Sequence, residues 1–364
     1  MKVLLAVGSA AYGGTEKQVI NLAKELSILE TEVTIAFMNR LGPLVEEINN
    51  SKVSYVNLGF QKKNIFNNFK SLLAFVKFLN TQQFDVINAF LAEAIILTWV
   101  ARTFSRKKSL FISGVRGIFF SDQYILKCIV LPFYYYILNK SGLIICNSID
   151  LIKHIKTKVH NTRIIHIPNG VEVPPYKIRT HQEKINVVVI ANFYVYKGYD
   201  LLFESLKYLN QKFDLHLIGS GTELAKYINL AREIKSNEID ITFHGTLSPA
   251  EMKKILEKCD FAIHPSRTEG LSNAIMEELS YGLPVVAFDV GGNSELVTNL
   301  HNGILVEPFK TEIMSKAIDL LIENITLRKT MQKNALGSIQ TFSFKTLGYS
   351  YLQNYLKQLN QVFL

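Results

Sequence analysis

HPSRTEGLSNAIMEELSYGLPVVAFDVGGNSELV, residues 264–297, decides how this chain is read. It opens on the end of an apolar strand and runs through a loop carrying Glu269. A helix follows with Ser272 at its N-cap, then a stop at Gly282 and Pro284 and a second strand over 284–288. Glu269 and Glu277 stand eight residues apart across the helix start. If all of that span were helical, the axial rise would be roughly 12 Å. Paired glycosidase acids lie about 5–9.5 Å apart, so these two carboxylates are too widely spaced to share one reacting atom. The spacing suits the two hydroxyl-rich ends of one elongated ligand, with the N–H groups of the helix start between them facing an anion. A nucleotide diphosphate-sugar has that shape.

The flanking chain repeats the rhythm of strand, loop and helix. Strands are expected over 2–8, 32–37, 53–57, 85–90, 109–114, 142–147 and 163–167. Helices are expected over 15–28, 66–82, 93–104, 122–139 and 148–158, the first opening with Thr15 and Gln18 in capping-box register. After a stretch with three prolines the pattern restarts. Strands fall over 185–191, 213–218, 239–243, 260–264 and 284–288, and helices over 198–209, 222–236, 248–258 and 272–281. Ser248, Pro249 and Glu251 form a second capping box, and the last fifty residues are helical. Such alternation predicts an α/β protein of doubly wound parallel sheets. At 364 residues the chain exceeds one typical domain. We therefore expect domains over 1–168 and 185–343 joined by a linker over 169–184. Ligands of such sheets bind beyond the carboxyl ends of the strands.

Composition narrows the functional classes. The chain is 48% hydrophobic and 20% charged, without low-complexity tracts or repeats, as expected of a globular protein. Cys128, Cys146 and Cys259 are odd in number and lack C-x-x-C spacing, so they read as core residues rather than a disulfide or zinc framework. The longest apolar run, Cys128 to Leu138, contains Pro132 and is too short to span a bilayer. The N-terminus reads as a first strand, not a signal peptide, and the protein is expected in the cytoplasm. Residues 1–170 hold 20 Lys/Arg against 10 Asp/Glu, whereas residues 171–364 hold 20 against 21. A basic first half points to an anionic surface. Dispersed basic residues without a recognition motif argue against nucleic acid, and anionic leaflet lipid fits better.

The opening segment resembles the E-x7-E signature of the family 4 retaining glycosyltransferases, which have the GT-B fold. The match includes Pro265 and Ser266, Glu269 and Gly270, Gly282-x-Pro284-Val285-Val286, and Gly291-Gly292-x-x-Glu295. Two glutamates eight apart are common by chance; the ordered string is what is specific. The resemblance implies two Rossmann-like doubly wound domains facing a central cleft, the first binding acceptor and the second the nucleotide-sugar. It also implies that a final helix over 344–364 crosses back to the first domain. The implied reaction is retaining, metal-independent transfer of a hexose from a UDP-sugar. The acceptor would be lipid- or glycan-linked, in cell-surface polysaccharide synthesis at the inner membrane face. A nucleotide-sugar epimerase of the same architecture, or an inactive nucleotide-sugar-binding protein, are the alternatives.

On this resemblance Glu277 binds the ribose hydroxyls, and Glu269 the donor sugar or its developing positive charge. Amides around Gly270, Leu271 and Ser272, with Gly14 and Lys197, hold the diphosphate. GGTEKQVINLAKEL, which contains Gly14, is similar to the family's first loop and helix, and Lys197 matches its K-G element. Asn192 stands where the family has an arginine, so part of the leaving-group charge is missing. Arg267 reads either as its substitute or as an ordinary surface arginine. Gly245 ends a strand near the implied nucleotide. All eight histidines fall at or after His154, so Arg116 occupies the place of the family's first-domain histidine and no histidine base is available there. Arg116 reads as a phosphate or acceptor grip, or as a structural arginine. His264 reads as a strand-end histidine bonded to backbone. None of the nine aspartates lies two residues from another, so no D-x-D metal bridge is expected and no cofactor is required.

Overall fold

Continuous apolar runs such as KVLLAV and VINAF cannot face water on either side, and both become strands covered by helices on two faces. The computed structural model describes residues 1–10, 13–61, 65–117, 126–175, 184–209, 211–234 and 239–362. The chain forms two units, Met1–Gly170 with Phe344–Leu364, and Val171–Ser343.

Unit 1 has seven strands: β1 Lys2–Val7, β2 Glu32–Phe37, β3 Ser54–Asn57, β4 Val86–Phe90, β5 Leu110–Val115, β6 Leu143–Cys146 and β7 Ile164–His166. Its first helices are α1 Gly14–Ile28, α2 Glu46–Asn49, α3 Ile65–Gln82, α4 Ala92–Thr103, α5 Leu131–Lys140 and α6 Ile149–Lys156. Unit 2 has β8 Ile185–Ile190, β9 Phe213–Ile218, β10 Ile239–Gly245, β11 Phe261–His264, β12 Val285–Phe288 and β13 Gly303–Val306. Its helices are α7 Tyr199–Leu206, α8 Leu224–Glu233, α9 Pro249–Leu256, α10 Asn273–Ser280, α11 Asn293–Leu296, α12 Thr311–Glu323 and α13 Ile325–Ile339. The last helix, α14 Phe344–Val362, belongs to unit 1 and packs on α1.

The strand orders are β3-β2-β1-β4-β5-β6-β7 and β10-β9-β8-β11-β12-β13, and the pairings are parallel. Each order reverses beside its unit's first strand, at β1/β4 and at β8/β11, which opens a crevice at the strand carboxyl ends. Each sheet has a core on both faces. In unit 1, α1 and α14 cover one face, and α3, α4, α5 and α6 the other.

Some expectations need correction. Thr15 does not cap α1: Gly13, in extended backbone, precedes the helix without a side-chain cap. Gln18 is buried and instead bonds Gly170 reciprocally, at 2.7 and 2.8 Å. Strand β13 and the short helix α2 were not foreseen. The helix expected over 122–139 is described from a π-helical turn at Leu126–Val130 onward, and 122–125 lie outside the described residues. So do residues 176–183 of the expected linker, 235–236 of the expected helix over 222–236, and 363–364 of the final helix. No described helix is long and apolar enough to cross a membrane.

Candidate functional site

Lys197 and Glu269 are 72 residues apart in sequence, yet the Lys197 Nζ donates to Glu269 Oε1 at 2.5 Å. Topology explains the meeting. Lys197 follows β8, Glu269 follows β11, and these strands are neighbours at the switch point of unit 2. Backbone bonds tie the Glu269 loop to the Lys197 loop on one side and to the loop after β12 on the other. The Arg267 N–H donates to the Tyr196 carbonyl at 2.9 Å, and the Gly292 N–H to the Gly270 carbonyl at 2.8 Å. Gly198 (φ +70°) and Gly291 (φ +55°) occupy the left-handed region, and a Cβ on either would collide with the carbonyl of Pro265 or Glu269 respectively.

Glu269 is almost enclosed, its side chain 10% exposed. Burial alone would raise its carboxyl. The hydrogen bond and charge of His264, then those of Lys197, prevail and bring it down to about 2. His264 thus does not take the backbone partner expected for it. Its ring is fully buried, and Nε2 lies 3.0 Å from Glu269 Oε1, 3.2 Å from Ser266 Oγ and 3.3 Å from Ser272 Oγ. A strand-end histidine turns inward because the loop returns the carboxylate five residues later. Its Nδ1 has no hydrogen-bond partner among the described residues.

Ser272 caps α10 as expected, its Oγ accepting from the Ile275 N–H at 3.3 Å. Glu277 is the fifth residue of α10 and half-buried, so only the second part of the Glu269–Glu277 span is helical. Glu278, which was not singled out in the sequence, is fully buried, and among the described residues no side chain donates to its carboxyl oxygens. Burial drives it well above the usual carboxylate range, Glu277 and Glu269 push the same way, and the backbone at Ile190 and the Lys197 charge oppose only in part.

Arg267 is already engaged. Its Nη1 and Nη2 donate in parallel to the two oxygens of Asp200, at 2.7 and 2.6 Å. Asn192 is exposed, and its Oδ1 accepts from the Ser220 N–H at 3.3 Å. Gly245 ends β10, where its carbonyl accepts from the Gly219 N–H at 2.9 Å. Leu271 is buried, and Gly270 half-buried, in the Glu269 loop. Beside Lys197, the exposed rings of Tyr194 and Tyr196 stack 5.8 Å apart, with the Lys197 ammonium 5.3 Å from the Tyr196 ring.

The remaining candidates belong to unit 1. Gly14 is the first residue of α1, just beyond β1. Arg116 follows β5 and is nearly buried: Nη1 donates to Asn169 Oδ1 and Nη2 to the Tyr351 hydroxyl at 2.6 Å. Its guanidinium lies 5.2 Å from the Phe90 ring. Among the described residues no three His, Cys, Asp or Glu side chains cluster so as to hold a metal ion.

Comparison with known proteins covers both halves of the chain. Residues 12–173 match the family described as Glycosyltransferase Family 4, and residues 175–337 the family described as Glycosyl transferases group 1. An uncharacterized glycosyltransferase of Methanocaldococcus jannaschii is 31% identical over 245 residues, 66% of this chain and 67% of that protein. The N,N'-diacetylbacillosaminyl-diphospho-undecaprenol alpha-1,3-N-acetylgalactosaminyltransferase of Campylobacter jejuni is 24% identical over 59% of this chain and 56% of its own. The structure of Anabaena Alr3699/HepE in complex with UDP-glucose superposes with a TM-score of 0.83 at 19% identity, covering 98% of this chain and all of that one. The chain belongs to glycosyltransferase family 4, transferases of glycosyl groups built on the GT-B fold.

Proposed function

We propose that this glycosyltransferase retains anomeric configuration, takes a UDP-sugar and delivers the sugar to a lipid- or glycan-linked acceptor in cell-surface polysaccharide synthesis. The observation that carries the reading is the enclosed Glu269 carboxylate held by Lys197 and His264 at the switch point of unit 2. A carboxylate poised near 2 stays ionised throughout the physiological range, so it accepts hydrogen bonds from sugar hydroxyls and stabilises positive charge developing at the anomeric carbon. Lys197 shares its ammonium between that carboxylate and the departing diphosphate. Glu277, farther along α10, binds the ribose hydroxyls, and the amides from Gly270 to Ser272 face the phosphates. Arg267, tied to Asp200, is better suited to bracing the loop than to replacing the arginine absent at Asn192.

In this mechanism the bond from C1 to the β-phosphate oxygen breaks, and its electron pair leaves on the phosphate. An acceptor oxygen forms the new C1–O bond on the same face, and its proton passes to the departing phosphate. No protein base is needed. The UDP and lipid-linked assignments draw on the UDP-glucose bound to Anabaena Alr3699/HepE and on the undecaprenol-linked substrate in the name of the Campylobacter relative. The basic first half supports work at the cytoplasmic face of a membrane.

The test is calorimetric titration with UDP and UDP-glucose, followed by NMR of the products. We expect saturable binding, slow release of UDP with the α-anomer of glucose appearing first, and binding weakened about 10–100-fold by Glu277→Ala. No binding of any UDP compound, or an epimerised nucleotide-sugar formed without acceptor, would overturn the assignment.

A further inference from the structure

The α3–α4–α5 layer of unit 1 is apolar on two sides. Phe75, Leu79, Ile95, Tyr134 and Ile137 fill the core beneath the sheet. Yet on α3 the side chains of Phe66, Phe69 and Leu73 are also 69%, 59% and 55% exposed. These residues follow at steps of three and four, with Lys70 and Lys77 on the same stripe. The π-turn and α5 repeat the pattern. Ile129, Phe133, Tyr136 and Lys140 step by four, three and four, and the three apolar members are 65%, 36% and 48% exposed. Trp99 of α4 meets the second stripe, edge-on to Phe133 and Tyr136 at 5.8 and 5.9 Å. In each stripe a lysine ammonium lies over an aromatic ring: Lys70 over Phe66 at 4.7 Å, and Lys140 over Tyr136 at 5.8 Å.

The charge on this layer is almost all positive. Residues 65–82 and 126–140 contain no Asp or Glu, and α4 contributes only Glu93, in its first turn. Neither packing of unit 1 nor solubility explains two exposed aromatic stripes edged by lysines. An anionic bilayer surface does: aromatic and aliphatic side chains enter the headgroup–acyl boundary while flexible lysines reach the phosphates. The geometry points to this three-helix face as the surface by which unit 1 lies on an anionic lipid leaflet. The inference deepens the reading of a lipid-linked acceptor and rests on it for its purpose, but vesicle binding requires no catalysis, so the two fail separately.

The experiment is co-sedimentation of the full-length protein with vesicles of phosphatidylglycerol and phosphatidylcholine, and with phosphatidylcholine alone. The wild type is expected to bind the anionic vesicles and to be released by salt. At about 1 kcal/mol per lysine, the triple variant Lys70→Gln, Lys77→Gln, Lys140→Gln should lower the partition coefficient on the order of a hundredfold. The exposed pair Phe69→Ser, Phe133→Ser should weaken binding at unchanged affinity for UDP. Absence of vesicle binding, or variants that sediment like the wild type, would overturn the inference. So would a dimer that the serine variants dissolve and that binds no vesicles, since the stripes would then bury a second copy. Vesicle binding without any binding of UDP compounds would sustain the docking surface and remove the UDP-sugar reading instead.

Discussion

Glu269 and Glu278 lie on one loop–helix segment, both enclosed, and their surroundings drive them in opposite directions. Glu269 meets Lys197 and His264, and its carboxyl falls to about 2, below the ordinary 4.5 of the unfolded chain. The stabilisation from its ionisation is therefore complete above pH 4.5 and lost as the pH falls from 4.5 toward 2. Glu278 is fully buried beside two carboxylates, with the Ile190 backbone and the Lys197 charge opposing only in part, and its carboxyl lies well above 4.5. Its favourable protonated state contributes fully below pH 4.5, and the contribution is lost as the pH rises toward the raised value. Two neighbouring substitutions should thus have opposite pH slopes. Glu269→Gln is expected to be less stable than the parent above pH 4.5, with the gap closing in acid. Glu278→Gln should gain on the parent as the pH rises from 4.5 toward 8. Urea midpoints measured from about pH 2 to pH 8 decide it, and parallel curves for both variants would rule out these environments.

At the scale of elements, the site depends on how tightly neighbouring βα loops can pass. Gly198 and Gly245 have nearly the same φ, +70° and +68°. A Cβ at Gly198 would strike the Pro265 carbonyl, whereas at Gly245 it would meet open space. Gly245→Ala should therefore cost only the left-handed conformation, about 1–2 kcal/mol. Gly198→Ala should cost clearly more, and should lower nucleotide-sugar affinity too, because it forces the Lys197 and Glu269 loops apart. Equal denaturation midpoints for the two would contradict this. What sequence made legible follows the same division between local and distant. Ser272, and Ser248 with Glu251, act within their own first turns and could be read from spacing, and both caps are present. Thr15 and Gln18 have the same spacing, but Gly170, far along the chain, takes the Gln18 side chain. The Arg267–Asp200 pair and the turn of His264 onto Glu269 likewise depend on which loops the sheet order makes adjacent. Strand β13 escaped notice because four residues, GILV, after a turn are too short to display a period.

At the scale of the whole molecule, the chain leaves unit 1 after Gly170 and returns to it at Phe344, so each unit keeps its own sheet and core. The returning helix is integral to unit 1. Tyr351 and Tyr355 are fully buried against α1 and the sheet, and the Tyr355 hydroxyl donates to Asn88 Oδ1 of β4 at 2.8 Å. Arg116 also depends on this helix, through the Tyr351 hydroxyl. Loss of a single buried aromatic side chain costs about 3–5 kcal/mol, and a domain's entire stability is only about 5–15 kcal/mol. Deleting residues 344–364 removes two such side chains and opens the α1 face of the unit 1 core to water, while unit 2 loses nothing from its own core. The truncated protein is therefore expected to show one cooperative calorimetric transition instead of two, and limited proteolysis should leave a resistant fragment close to 171–343. Survival of both transitions would mean that α14 is dispensable to unit 1. Loss of both would mean that unit 2 cannot fold without its neighbour, which its separate sheet and core argue against.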